Sequence, residues 1–189
     1  HADRAGRYVF ATSLGGDNLS SWRFDAATGR LTANEPALVN VQPAKTGPRH
    51  FLWNAKQTHA YLLNELDGGV DVFAYDSDKG TMRHLQRTSV MPAGFTGKPW
   101  AADLQLSADG RYLYGSERTS STLTTFRVDP ATGLLQTAGT VPTEKTPRGF
   151  AVDSTGRFIV AAGQGSGAVT LHPVDAATGL PGAGKSYPA

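Results

Sequence analysis

Arginines and carboxylates recur in this sequence within short, similar contexts. Arg49 sits in Thr46-Gly47-Pro48-Arg49-His50, Arg148 in Thr146-Pro147-Arg148, and Arg118 follows Ser116-Glu117. Glu65 lies in Asn64-Glu65-Leu66-Asp67, and Trp100 precedes Asp103 in Phe95-Thr96-Gly97-Lys98-Pro99-Trp100-Ala101-Ala102-Asp103. Arginine carries a planar fork of donors that matches a carboxylate or a phosphate. Converging on one mouth, these groups would form a cationic pocket for a small anion. Three charges gathered there without a ligand would be costly, so Arg49, Glu65 and Arg118 are the candidate catalytic set. Arg148, Asp103 and Trp100 are the candidate substrate-binding residues. A purely structural use also exists: Pro-Arg can cap a strand, and Asp103 can accept from backbone amides.

The remaining chemistry-bearing residues point elsewhere. His59, His84 and His172 fall in turns or outward strand positions and read as surface residues. His50 alternates with Arg49 along a strand, so it should point to the opposite side, into the core. No His-x-x-x-His pair or tight carboxylate cluster suggests a metal. The chain has no Cys, which removes thiolate metal sites and a cysteine nucleophile. No cofactor is expected.

The elements that position these residues repeat. DAATGRL, DSDKGTM, DPATGLL and DAATGLP place Gly at 29, 80, 133 and 179. AGRYVF, KQTHAYLL, ADGRYLYG and STGRFIVA begin at 5, 56, 108 and 154, so two independent markers share a period near 50 residues. Within a period the pattern is strand-like. Thr122 to Val128 alternates small or polar with apolar residues, and the DG and ATG segments read as hairpin turns. About four short strands per repeat match one blade of a β-propeller. The expected class is therefore all-β, with four-stranded antiparallel blades near residues 1–45, 46–96, 97–144 and 145–189. Residues 51–64, 100–116 and 149–163 should each form two adjacent strands, turning near Lys56, Asp109 and Thr155. The chemistry-bearing loops should share one face, and the ATG turns at Gly29, Gly133 and Gly179 the other.

Composition narrows the classes further. The 189 residues carry 18 basic and 16 acidic side chains, a formal charge of +2, with no basic run. Nucleic-acid binding has no support, and no apolar stretch approaches the ~18 residues of a membrane span. Gly at 22 and Pro at 11 fit frequent turns rather than long helices. A chain without Cys is tolerated in reducing and oxidising compartments alike. A cytoplasmic location is the expectation, with a periplasmic or secreted one as the alternative. Starting at His1, the first repeat lacks its opening strand, and the last ends within its closing strand at Lys185-Ser186-Tyr187. These ends predict an arc of a larger ring, processed or excised, whose edges are free to self-associate. Phe10, Trp22 and Phe24 should be exposed on the terminal blades.

The stretches TGPRHF, YLLNELDGGVDVFAYD, MPAGFTGKPWAADLQLSADGRYLYGSER, FRVDPATG and VPTEKTPRGFAVDSTGRF resemble the seven-bladed β-propeller lactonase family. That family includes bacterial propeller-type 6-phosphogluconolactonases and the fungal carboxymuconate cyclase. In the cyclase a His, two Arg and a Glu are proposed to line the site. The resemblance places the first Arg at Arg49, the Glu at Glu65 and the second Arg at Arg118, while the His falls upstream of His1, so the chain carries part of the site and by itself should be poorly active. It implies hydrolysis of a small anionic lactone, with Glu65 activating water and the arginines holding the anion and the developing oxyanion. Lactonising cyclisation in the same pocket, or a non-catalytic binding propeller, are the alternatives.

Overall fold

The computed structural model describes residues 1–189, and all of its regular structure is β. Four antiparallel sheets follow one another along the chain. The first holds β1 (Tyr8–Ser13), β2 (Asn18–Asp25) and β3 (Arg30–Asn40). The second holds β4 (Pro48–Trp53), β5 (His59–Asn64), β6 (Gly69–Asp76) and β7 (Thr81–Ser89). The third holds β8 (Ala101–Leu106), β9 (Tyr112–Glu117), β10 (Thr122–Val128) and β11 (Leu135–Pro142). The fourth holds β12 (Pro147–Val152), β13 (Phe158–Gly163), β14 (Ala168–Pro173) and β15 (Lys185–Pro188). Each sheet is a meander of neighbouring strands, as a propeller blade requires.

The ends differ in detail from the sequence-based expectation. The amide of Phe10 donates to the His1 carbonyl at 2.8 Å and that of Asp3 to the Tyr8 carbonyl at 2.9 Å. Residues 1–3 are thus a stub of the opening strand, paired along β1. At the other end β15 is present but spans only four residues, from Lys185↔Leu171 to Pro188↔Ala168.

The repeated Asp-x-x-Thr-Gly turn has a local cause. Asp129 accepts from the amides of Ala131 (2.9 Å) and Thr132 (2.7 Å) and from the Thr132 hydroxyl (2.9 Å), closing the turn onto its first residue. Gly133 then takes a φ of +69°. A Cβ there would also come within 2.5 Å of the His59 ring of the preceding blade, so glycine serves both the turn and the contact.

The core lies between blades, not within them. Tyr8, Phe10, Leu19, Phe51, Leu62 and Phe73 fill the first junction. Tyr61, Leu63, Val72, Leu104, Leu113 and Phe126 fill the second, and Tyr112, Tyr114, Leu123, Phe150 and Ile159 the third. Successive residues of β5 therefore serve opposite junctions, with Leu62 in one and Leu63 in the next. Phe10 is 1% exposed, contrary to expectation, because its face of β1 packs edge-on against Trp53 and Tyr75 of the second blade. Trp22, 36% exposed, lies on an open surface of the terminal blade, and Phe24 is half-buried.

Candidate functional site

The first strands of the three complete blades, β4, β8 and β12, lie side by side, and each begins with a break in register. The shifts fall between Pro48 and His50, Ala101 and Leu104, and Pro147 and Gly149. A bulge inserts a residue without a partner and re-aims the side chains around it. Proline within a strand is confined to its start or to such irregularities, and Pro48 and Pro147 occupy both. Arg49 and Arg148 are the residues at two of these breaks.

Four of the six candidates meet at one carboxylate. Glu65, in the turn after β5, has its Oε2 2.7 Å from Arg49 Nε and 3.0 Å from Arg118 Nη2. Its Oε1 accepts from Trp100 Nε1 at 3.2 Å. The Arg118 guanidinium stacks over the Trp100 ring, 3.9 Å from its centroid. It also donates to the carbonyls of Trp100 (2.9 Å) and Ala101 (3.0 Å). Arg49 donates through Nη1 to the carbonyl of Ala102. Each arginine is thus oriented by backbone acceptors and the shared carboxylate. Arg118 is 5% exposed, Arg49 18% and Glu65 17%.

Burial pulls the Arg118 pKa down; Glu65 opposes this, while Arg49 and Arg148 push it further down. Arg148 remains exposed at the start of β12 and does not join the Glu65 ion pairs. Asp103 is separate again. Its Oδ1 lies 2.8 Å from His50 Nδ1 and accepts from the Leu104 amide at 2.8 Å, while its Oδ2 accepts from the Phe150 amide at 3.2 Å. Burial raises the Asp103 pKa, but the His50 bond and the Phe150 and Leu104 amides outweigh it and hold the carboxyl below the ordinary range.

Two histidines correct the sequence reading. His50 is not a core residue: it is 42% exposed and reaches across to Asp103. Alternation fails at Arg49, which the Pro48–His50 break leaves without a partner and which turns to the side His50 already faces, while His50 stays in register with Leu63; Pro48 is the sequence mark of that break. His172 is buried at 2%, not on the surface, because residues 181–184 fold over β14. Its Nδ1 pairs with the Gly182 carbonyl and its Nε2 with the Thr143 hydroxyl, both at 2.9 Å. His59 is half-buried against Gly133, and exposed His84 pairs with buried Asp71 at 2.9 Å. Glu117, read only as part of a loop, is fully buried beneath the cluster. It accepts from the amides of Trp100 (2.6 Å) and Ser120 (2.5 Å) and thereby fixes the Trp100 segment.

The arrangement suits recognition of an anion by arginine beside a pair of carboxylates. The profile of the family described as "Lactonase, 7-bladed beta-propeller" matches residues 1–188. A 6-phosphogluconolactonase of Pectobacterium carotovorum subsp. carotovorum is 39% identical over 177 residues, covering 94% of this chain and 53% of that protein. One of Serratia proteamaculans is 38% identical over the same shares of the two chains. Among solved structures, the periplasmic gluconolactonase PpgL of Pseudomonas aeruginosa superposes with a TM-score of 0.93 at 38% identity, covering 98% of this chain and 52% of that one. The chain spans about half the length of these relatives. With four consecutive blades and this profile match, it belongs to the seven-bladed β-propeller lactonase family.

Proposed function

We propose that these blades carry the anion-binding face of a lactone hydrolase acting on a sugar-acid lactone, of the 6-phosphogluconolactonase type. The observation that carries the reading is the Glu65 carboxylate held between Arg49 and Arg118, which fixes both guanidinium groups. A sugar-acid lactone bears a carbonyl that becomes an oxyanion on attack, and its phosphorylated form bears a further anion. Oriented guanidinium groups answer both needs, because they are fixed before charge develops. Trp100, 43% exposed beside Pro99 and Leu66, offers an aromatic surface for the sugar ring. The relatives named 6-phosphogluconolactonase support this substrate class over lactonising cyclisation.

Binding of 6-phosphogluconate, the product acid, to the 189-residue chain tests the reading. Side-chain NHε signals of Arg49 and Arg118 should shift on titration, and Arg118→Ala should weaken binding at least tenfold, about 1.4 kcal/mol. Hydrolysis of 6-phosphogluconolactone should exceed the spontaneous rate. No binding at the mouth overturns the proposal.

A further inference from the structure

We propose that His50, oriented by Asp103, is the proton-transfer group of this site; the inference rests on the lactonase reading but departs from Glu65 as the base. Both Glu65 oxygens are engaged by donors, Oε2 by two arginines and Oε1 by the Trp100 indole. Its geometry is that of an orienting anion. His50 is differently placed. It stays in register with Leu63 at the inner end of β4, on the side of the second junction, where its Nδ1 meets Asp103 at 2.8 Å and its side chain is 42% exposed. Its neighbour in the chain, Arg49, belongs to the Glu65 cluster and donates to the Ala102 carbonyl beside Asp103, so the two sets lie next to each other.

Asp103 is built as an orienting group. It is 9% exposed and lies on β8, between His50 on β4 and the Phe150 amide on β12, so it spans three blades. A carboxylate accepting from Nδ1–H fixes the neutral imidazole with Nε2 unprotonated and then stabilises the imidazolium. Imidazole is the side chain best suited to take and return a proton near neutral pH. The step balances without a cofactor. Water attacks the lactone carbonyl and loses a proton to His50 Nε2. The tetrahedral intermediate collapses, the ring C–O bond breaks, and the ring oxygen recovers that proton as a hydroxyl. The product is the open hydroxy acid, and its carboxyl proton leaves to solvent. Asp103 acts through His50 and is a positioning residue.

The test uses the 189-residue chain, 6-phosphogluconolactone as substrate and 6-phosphogluconate as the binding probe. His50→Gln should lower kcat about 10²-fold or more, with KM and product binding little changed. Asp103→Asn should also lower kcat more than KM, and the double variant should be no slower than His50→Gln, since the two act as a unit. Free imidazole should restore part of the turnover of His50→Gly, which a merely structural histidine would not allow. If product binds and wild-type turnover persists in His50→Gln, the inference is overturned and the lactonase reading stands. If product binds but the wild-type chain gives no rate above the spontaneous one, the proton-transfer role falls. Absence of binding overturns both.

Discussion

A residue's chemistry here is set by how its partners occupy it. Glu65 and Asp103 are both carboxylates on the same face, yet one is saturated by guanidinium groups and the other by an imidazole and two amides. That difference has a pH consequence for Asp103. Its folded pKa is depressed, so it contributes stability above the unfolded value of about 3.9, and this stability is lost as pH falls through the lower folded value. Urea unfolding measured from pH 6 to pH 2 should therefore show a steeper acid loss in the wild type than in Asp103→Asn. Equal acid limbs for the two proteins would mean that Asp103 gains nothing from His50 and the amides on folding. Residue types and repeated contexts were enough to name six candidates. Their pairing was not legible, because ion pairs between residues 49, 65 and 118 depend on where three separate turns end.

At the scale of the strand, burial separates inner from outer blades. β9 is buried at all six positions and β5 at five of six, whereas β13 alternates, with Ile159 fully buried and Val160 41% exposed. Leu62→Ala and Leu63→Ala should each cost about 2–5 kcal/mol, although the two side chains point in opposite directions. In β13 the same test should split: Ile159→Ala in that range, and Val160→Ala within about 0.5 kcal/mol. Denaturant midpoints of the four variants check this, and equal costs for Ile159 and Val160 would show that both faces of β13 are packed. Strands, turns and their spacing could be read from alternation, Gly and Pro, since these are local preferences. The three inner-strand bulges were missed, although Pro48 and Pro147 mark two of them, because a bulge changes pairing without changing the strand pattern.

At the scale of the whole molecule, the terminal blades carry apolar sequence on surfaces that nothing in the 189 residues covers. Phe158-Ile159-Val160-Ala161-Ala162 is apolar on both faces, as strands buried on both sides are, and Trp22 and Val160 are exposed at opposite ends of the arc. We infer that in the isolated chain a second copy covers these surfaces. By itself the chain should sediment as a species larger than its 20.0 kDa monomer, and Val160→Glu should shift it toward that mass, read by light scattering after size exclusion. A monodisperse wild-type monomer would show that the open surfaces need no partner.

Local physics, visible in the sequence, determined the all-β class, the repeat near 50 residues, the Asp-capped Gly turns and the residue types of the site. Each follows from interactions within a few neighbours: steric freedom at glycine, side chain-to-backbone bonds at aspartate, and the two-residue period of a strand. Only the tertiary structure decided that His50 meets Asp103, that Phe10 and His172 are buried, and that Arg49 and Arg118 share Glu65. Those outcomes depend on register breaks at the inner strands and on contacts between blades. Such contacts join residues about 50 to 70 positions apart, and no local preference specifies them.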